Sequence, residues 1–207
     1  MTDASLFSAI SPTTFADILG RRHVMASTIR PLWAGVPRVA GPAFTVRCAP
    51  GDNLMLHAAI YRAEPGAVVV VEAADCEYAL AGANVCAVAQ RRGIAGFVID
   101  GVIRDLAEVR ESGFPVFARG VIPVPGAKSV VSPLNQPVHC GGITVHPRDM
   151  VVADEEGIAV VPAARCDQVL REARAKADEE ASESLDDWQA AHRAKVELLL
   201  SEGGFAG

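Results

Sequence analysis

Aromatic residues are scarce in this chain: only 5% of its 207 residues are Phe, Trp or Tyr. Hydrophobic residues nevertheless make up 50% of the sequence, so the core must be built mainly from Val, Ala, Ile and Leu. Such a composition is typical of a parallel or mixed sheet covered by Ala-rich helices. The length suits one generous domain and is short for two.

Long runs of basic or apolar residues are also missing. The longest basic blocks are the pairs Arg21-Arg22 and Arg91-Arg92, and the formal net charge is −6, which argues against a nucleic-acid groove. No stretch reaches the roughly 18 apolar residues of a membrane span, and the N-terminus lacks the basic-then-apolar order of a signal peptide. We therefore expect a cytoplasmic protein with no membrane partner and no direct nucleic-acid partner.

The five cysteines are scattered and form no C-x-x-C pair. This pattern favours reduced, mostly buried thiols over a disulfide framework or a zinc site. The nearest combination of Cys and His is His139-Cys140 with His146, but adjacent residues of a strand face opposite sides.

The order of the predicted elements indicates an α/β fold. The hydrophobic pattern predicts helices at 12–19, 54–63, 83–92 and 104–111, and strands at 43–48, 67–72, 96–100 and 115–118. Short strands with tight turns are expected at 137–139, 142–145, 150–153 and 157–161. The first half contains a βαβ unit, and the β-rich half follows without a linker, so we expect one layered domain over residues 1–162.

Residues 163–207 are predicted to form a helical arm. The segment 163–200 is rich in Ala, Glu, Arg and Lys and has too few apolar positions to pack fully within one subunit. We expect the arm to pack on a neighbouring subunit of an oligomer.

The segment Asp100-Gly101-Val102-Ile103-Arg104-Asp105 is the strongest candidate for chemistry. It follows a buried strand, and ligands of open α/β sheets bind at the carboxyl ends of the strands. Asp105 is expected in the first turn of the next helix, with Glu108 on the same helix face. The pattern equally allows a structural interpretation, in which Asp105 caps the helix and Arg104 pairs with Asp100 or Glu108.

A second candidate is the helix start Ala81-Gly82-Ala83-Asn84. Free N–H groups at a helix start bind carboxylate or phosphate, and this start lies at the same sheet edge as Arg104 and Asp105. The alternative is that Gly82 serves only close packing.

Three further groups were considered. Residues 51–53 predict a turn with a helix cap, and His57 is interpreted as a core or interface histidine rather than a base. Asp154, Glu155 and Glu156 predict a hairpin turn, with a metal site as the weaker alternative. The chain has no Gly-x-Gly-x-x-Gly motif and no phosphate-binding loop with Lys.

Six segments carry a family resemblance: 51–53 (GDN), 67–71 (AVVVV), 92–105 (RGIAGFVIDGVIRD), 113–117 (GFPVF), 141–145 (GGITV) and 153–162 (ADEEGIAVVP). In this order they resemble the 4-hydroxy-4-methyl-2-oxoglutarate aldolases and the related regulator of ribonuclease E activity A. The resemblance covers residues 9–175, and its long central motif is more specific for the superfamily than for one activity.

The resemblance implies a three-layer α/β/α fold like the swivelling domains of phosphotransfer enzymes, with a mixed sheet and a long C-terminal helix. It also implies a homotrimer or hexamer, and a Mg²⁺- or Mn²⁺-dependent lyase that releases pyruvate from 2-oxo acids.

By the same resemblance, each candidate residue has an implied role. Asp105 binds the metal, Arg104 contacts the substrate, and the amides of Gly82, Ala83, Asn84 and Val85 hold the pyruvoyl carboxylate. Glu179 or Glu180 of a neighbouring subunit supports metal-bound water. From the sequence pattern, and not from the resemblance, Asp100 and Glu108 are expected nearby as supporting carboxylates.

One departure from the family concerns the base. The aldolases usually carry an acidic residue twenty-one positions before the Arg, where this chain has Ala83. Aldol cleavage must remove the proton of a 4-hydroxyl group, whereas decarboxylation of oxaloacetate needs mainly an electron sink. The sequence therefore predicts that decarboxylation survives better than aldol cleavage.

Two other functions are kept as alternatives. A non-catalytic regulator that binds ribonuclease E or a related RNA-processing partner is the main one, although such a protein has no need of Arg104, Asp105 and Glu108. A methyltransferase is less favoured, because no glycine-rich S-adenosylmethionine loop follows the first strand.

Overall fold

Consecutive valines form the central strand of the sheet. In the computed structural model, which describes residues 3–205, β3 (Val68–Ala73) begins with four fully buried Val residues. It lies between two parallel neighbours, β2 (Val39–Cys48) and β4 (Gly96–Ile103). A strand buried on both faces needs apolar side chains on both, which explains the unbroken run.

The sheet has seven strands and is mixed. The remaining strands are β1 (Arg30–Pro31), β5 (Val116–Val121), β8 (Met150–Asp154) and β9 (Gly157–Val161), and the spatial order is β1-β5-β4-β3-β2-β8-β9. Strands β2 to β5 are parallel, while β1, β8 and β9 pair antiparallel with their neighbours. A separate hairpin consists of β6 (Val138–Cys140) and β7 (Ile143–Val145).

Seven α-helices accompany the sheet within residues 3–205: α1 (Ala4–Ser8), α2 (Pro12–Leu19), α3 (Leu54–Ala59), α4 (Ala83–Arg91), α5 (Leu106–Ser112), α6 (Cys166–Ser182) and α7 (Leu185–Glu202). Helices α3, α4 and α5 bury their apolar sides on one face of β2 to β5. On the same face of the sheet, α1, α2 and the first turns of α6 cover β8 and β9.

The other face of the sheet encloses a third apolar cluster. Residues of β3 and β4, such as Val70 and Val98, meet Val151 and Val160 of β8 and β9 in this cluster. Because both halves of the sheet contribute to one cluster, the sheet is strongly curled and nearly closed. The predicted α/β fold with a mixed sheet and a long helical C-terminal segment is confirmed.

Most predicted elements agree with the structure, but their ends differ. Strand β4 runs to Ile103, three residues beyond its predicted end, with an irregular register between Ile99 and Val102. Helix α5 begins at Leu106 rather than Arg104, and α3 ends at Ala59 rather than residue 63. The single helical segment predicted over 163–200 is two helices, with Ser184 capping the second through a hydrogen bond from Asp187 N to its Oγ (3.1 Å).

The chain divides into two compact units between Ala173 and Arg174. Within the first unit, Val169 and Leu170 of α6 are buried in the cluster beneath β8 and β9. Within the second unit, α7 has no buried residue, and several of its large apolar side chains are exposed, including that of Leu185. The predicted packing of this segment on a neighbouring subunit stays a prediction.

No helix in the described part of the chain is long and apolar enough to cross a membrane.

Candidate functional site

A small cavity of about 70 Å³ lies where β3 and β4 lead into α4 and α5. Its walls come from four segments of the chain, and the lining residues are Asn53, His57, Ala79, Leu80, Ala81, Gly82, Asn84, Val85, Arg104, Asp105, Pro125 and Lys128. The structure thus brings Arg104 and Asp105 together with Gly82, Asn84 and Val85, as the sequence predicted for one sheet edge.

Asp105 has an unusual backbone conformation. It immediately precedes α5 and lies in the left-handed region, with φ 56° and ψ 41°. Non-glycine residues adopt this conformation at an energetic cost, and such residues occur often at functional sites. The prediction that Asp105 lies in the first turn of the helix is therefore wrong, because it is the residue before that turn.

The Asp105 carboxylate points away from its own helix and towards α4. Its side chain makes no capping hydrogen bond to α5. Instead, Oδ2 accepts a hydrogen bond from Ala83 N at 3.2 Å and lies 3.4 Å from Arg104 Nε. Both side chains are partly exposed, 42% for Arg104 and 38% for Asp105, so a ligand can reach them.

Gly82 allows the side chains of Asp105 and Arg104 to lie close to the start of α4. A Cβ atom there would lie 2.4 Å from Asp105 Oδ2 and 3.0 Å from Arg104 Cγ. The φ of Gly82 is −159°, which any residue adopts, so close approach and not conformation requires glycine at this position. Gly82 therefore does more than pack the helix against the sheet.

The start of α4 presents backbone amides to the same cavity. The first bond within the helix runs from Cys86 N to Gly82 O at 3.0 Å, so the amides of Asn84 and Val85 precede it. Ala83 does not itself line the cavity, and its amide is engaged with Asp105. The amides of Asn84 and Val85 and the Arg104 guanidinium are hydrogen-bond donors on this wall, as an anionic ligand requires.

Residues 79–81 line the cavity and are held by backbone hydrogen bonds. Leu80 N donates to Val102 O at 2.9 Å, and Arg104 N donates to Ala81 O at 3.0 Å, which fixes this segment beside β4. Ala79 O accepts from both Gly126 N (3.1 Å) and Asn53 Nδ2 (3.2 Å).

The other predicted carboxylates lie elsewhere. Asp100 is inside β4 rather than at its end, and its side chain accepts hydrogen bonds from Arg119 Nε and from Gly141 N. Arg104 therefore pairs with Asp105 and not with Asp100. Glu108 is exposed in the first turn of α5 and does not line the cavity.

Glu179 and Glu180 belong to the second compact unit, where both are exposed and Glu180 pairs with Lys176 at 3.0 Å. Their predicted action on a neighbouring subunit stays a prediction.

The structure gives the weaker alternatives structural roles. Glu155 and Glu156 form the turn between β8 and β9, and Asp154 accepts hydrogen bonds from Glu156 N (2.9 Å) and Arg38 Nε (2.7 Å). Nowhere within residues 3–205 do three or more His, Cys, Asp or Glu side chains cluster as ligands for a metal ion.

Three polar residues of the cavity were not assigned to the site from the sequence: Asn53, which was interpreted as part of a turn, His57, which was interpreted as a core or interface histidine, and Lys128. Asn53 and His57 are spaced four residues apart at the start of α3, which is the spacing of one helix face. That spacing could have placed Asn53 and His57 in one site, whereas Lys128 lies in an irregular loop without any periodic signal.

A buried carboxylate holds the Lys128 loop in place. Asp52 Oδ2 accepts hydrogen bonds from Ser129 N (2.6 Å), Ser129 Oγ (2.9 Å) and Val130 N (3.1 Å), while Oδ1 accepts from Leu54 N (2.8 Å). Burial acts to raise the pKa of Asp52, but these hydrogen bonds outweigh it and hold the pKa below its ordinary value. The predicted turn and helix cap at residues 51–53 therefore also position the loop that carries Lys128.

His57 is half-buried and has a lowered pKa. Burial contributes most, and the charges of Lys128 and Arg104 lower the pKa further. The backbone of Leu80 and the charge of Asp52 act on the pKa in the opposite direction. The imidazole is therefore neutral near pH 7.

Comparison with known proteins agrees with the sequence motifs. The family model described as "RraA-like: Aldolase/RraA" matches residues 2–160. The chain belongs to the RraA-like family. A relative from Halalkalibacterium halodurans, named "Putative 4-hydroxy-4-methyl-2-oxoglutarate aldolase", is 40% identical over 197 residues, which cover 94% of this chain and 93% of the relative.

Solved structures of the RraA-like family have the same fold. Streptomyces coelicolor RraAS2, described as "an unusual member of the RNase ES inhibitor RraA protein family", has a TM-score of 0.74 and 29% identity, covering 93% of this chain and 96% of its own. "The RNA-processing inhibitor RraA from Thermus thermophilis" has a TM-score of 0.67 and 26% identity, covering 73% and 92%. The family thus includes both proteins named as aldolases and proteins named as inhibitors.

Proposed function

We propose that this chain is a divalent-metal-dependent lyase that cleaves a carbon–carbon bond of 2-oxo acids to give pyruvate. The observation that carries the proposal is the convergence of Asp105, Arg104 and the α4 amides on one cavity. The curated relative named as an aldolase supports it at 40% identity. The substrates proposed are oxaloacetate, by decarboxylation, and 4-hydroxy-4-methyl-2-oxoglutarate, by aldol cleavage.

The donor groups of the cavity fit Mg²⁺ or Mn²⁺. Asp105 offers one exposed carboxylate, and no second acidic side chain lines the cavity. Mg²⁺ commonly takes one or two protein carboxylates and completes its shell with water and substrate oxygens, whereas a closed zinc site needs more protein ligands. When bound, such a cation would supply the electron sink for the carbanion that carbon–carbon cleavage produces.

The chain's own residues would bind and orient the substrate. The amides of Asn84 and Val85 would hold the carboxylate next to the 2-oxo group, at the positive end of the α4 dipole. Arg104 would add a fixed positive charge and two parallel donors beside it. The Ala83 amide would have to exchange its hydrogen bond with Asp105 for one to the substrate.

The test is pyruvate release from oxaloacetate and from 4-hydroxy-4-methyl-2-oxoglutarate, with Mg²⁺ and with EDTA. Asp105→Asn is the sharpest variant, because Asn keeps the size of the side chain and tolerates the left-handed conformation. We expect turnover that EDTA removes and that this variant loses, while the surface variant Glu64→Gln keeps it. Full metal-dependent activity in Asp105→Asn would refute the assignment of the metal to this residue.

A second candidate function is a regulator that binds ribonuclease E or a related RNA-processing partner. It is favoured by one solved relative described as an RNA-processing inhibitor and by another described as an unusual member of the RNase ES inhibitor RraA family. Tight binding to the ribonuclease without any Mg²⁺-dependent turnover would favour this function over the lyase.

We also propose that the chain forms a homotrimer or hexamer. The exposed apolar side chains of α7, among them Leu185, Trp188 and Leu199, support a subunit contact there. Light scattering after size-exclusion chromatography tests this, and a monomer at micromolar concentration would refute it.

A further inference from the structure

The α3 side of the cavity carries an acceptor without a partner. Asn53 is only 3% exposed, and its Nδ2 donates to Ala79 O at 3.2 Å, which fixes the orientation of the amide. Among the buried side-chain oxygens and nitrogens of residues 3–205, Oδ1 of Asn53 is the atom that lacks a hydrogen-bond partner. A buried acceptor without a partner costs about 1–3 kcal/mol, so a ligand with a hydrogen-bond donor fits this position.

His57 lies beside this acceptor, one turn further along α3. Its backbone N donates to Asn53 O at 3.2 Å, and both side chains line the cavity. The imidazole is neutral near pH 7, so one of its ring nitrogens carries the proton. The second ring nitrogen is then an acceptor, as a general base requires.

The other walls of the cavity do not supply a base. Arg104, Lys128 and the α4 amides are cations or donors, and Asp105 is the proposed metal ligand. Residue 83, at the start of α4, is Ala and supplies no carboxylate. Asn53 and His57 therefore supply side-chain acceptors to a cavity whose cations and backbone amides are donors.

We infer that His57 is the general base for aldol cleavage in this chain, and that Asn53 Oδ1 holds the 4-hydroxyl group of the substrate beside it. The inference rests on the proposed lyase function and names its hydroxylated substrates, the 4-hydroxy-2-oxo acids.

The reaction balances without a further reactant. The proton of the 4-hydroxyl moves to the free ring nitrogen of His57, the C4–O bond becomes a carbonyl, and the C3–C4 bond breaks. Its electron pair stays on C3, which gives the enolate of pyruvate. The proton on His57 then passes to C3, so that pyruvate forms and the imidazole is neutral again.

The test compares two reactions in the same variants. Decarboxylation of oxaloacetate removes no hydroxyl proton and needs no general base, whereas aldol cleavage removes one. General-base catalysis contributes about 10²–10⁴-fold to the rate of such a proton transfer. We expect His57→Asn to lower the ratio of aldol cleavage to decarboxylation by at least about 100-fold. The matched control is His146→Asn, because His146 is exposed, does not line the cavity and should leave the ratio as it is.

Two further readouts separate a base from a structural residue. In the wild type, kcat/KM for aldol cleavage should fall as the pH drops below the ordinary imidazole pKa of about 6.5, since protonated His57 cannot accept the proton. His57→Asn should lack this acidic limb. Asn53→Ala should raise KM for the hydroxylated substrate more than for oxaloacetate.

The outcomes distinguish this inference from the proposed function. If the wild type releases pyruvate from both substrates and His57→Asn lowers both rates equally, the base is elsewhere and the lyase function stands. If the wild type decarboxylates oxaloacetate but does not cleave the hydroxylated substrate, the inference is also wrong, and the simpler expectation from Ala83 holds. Absence of both activities would overturn the proposed function itself.

Discussion

Replacing Gly82 by Ala would place a methyl group between the two residues on which the proposed site depends. Its Cβ would lie 2.4 Å from Asp105 Oδ2, whereas ordinary contacts begin at 3.4 Å, so the carboxylate must move by about 1.0 Å (3.4 − 2.4). A displacement of about 1 Å in an active site can lower the rate about 100-fold. We therefore expect kcat/KM for pyruvate release to fall by about 100-fold in Gly82→Ala.

The same substitution should hardly change the stability of the protein. Ala adopts the extended backbone of Gly82 and stabilises by about 0.4–1 kcal/mol through the unfolded state. Loss of the hydrogen bond from Ala83 N to Asp105 costs about 1 kcal/mol. The free energy of unfolding should stay within about 1 kcal/mol of the wild type.

Urea denaturation and steady-state pyruvate release, measured on the same preparations, test both parts. Gly120→Ala is the matched control, because the nearest atom to its new Cβ would be Val102 Cγ1 at 4.0 Å. Wild-type activity in a folded Gly82→Ala variant would refute the reasoning, since it would mean that the positions of Asp105 and Arg104 do not govern turnover.

Three further predictions concern stability and thiol reactivity. Gly101→Ala should lower the free energy of unfolding by about 1–3 kcal/mol in urea denaturation, because a Cβ there would lie 2.7 Å from that of Ala73 in the buried sheet; an unchanged midpoint would contradict this. Asp52→Asn should lower the free energy of unfolding by about 1.5–3 kcal/mol near pH 7. Because the folded-state pKa of Asp52 is lowered, the difference between wild type and variant should shrink as the pH falls below about 4. A difference that stays constant from pH 7 to pH 2 would argue against the carboxylate as its cause. In the native protein at pH 8, iodoacetamide should modify the exposed Cys76 much faster than Cys86, whose pKa burial raises to about 12; mass spectrometry of the peptides tests this, and fast labelling of Cys86 would show that its surroundings open readily.

The β-rich half of the fold was predicted well from the sequence, because its turns contain Gly or charged residues between short apolar runs. β6 to β9 each lie within one residue of the predicted ends at both sides. The end of β4 and the start of α5 were harder to predict from the sequence, because they depend on strand register and on the backbone conformation of single residues. The strand continues past Asp100 with a register shift between Ile99 and Val102, and α5 begins only after Asp105, which has a left-handed backbone.

The site was predicted in part for a similar reason. Gly82, Arg104 and Asp105 lie in a βαβ unit, where topology alone brings the ends of neighbouring strands together. Lys128 lies in a loop whose position depends on four hydrogen bonds to one buried carboxylate, and no sequence pattern encodes such a contact. His57 was interpreted as a core histidine because its neighbours on α3 are apolar, although its side chain lines the cavity.

The carbonyl of Ala79 accepts two hydrogen bonds, and we expect these bonds to make the walls of the cavity open together. One comes from Asn53 at the start of α3 and the other from Gly126 in the loop before Lys128. The next residue, Leu80, donates a hydrogen bond to Val102 of β4. Breaking any one of these contacts exposes the others to solvent, so the segments should open together. In native-state hydrogen exchange, the amides of Leu80, Arg104 and Gly126 should therefore share one protection free energy, and a ligand bound in the cavity should raise all three equally.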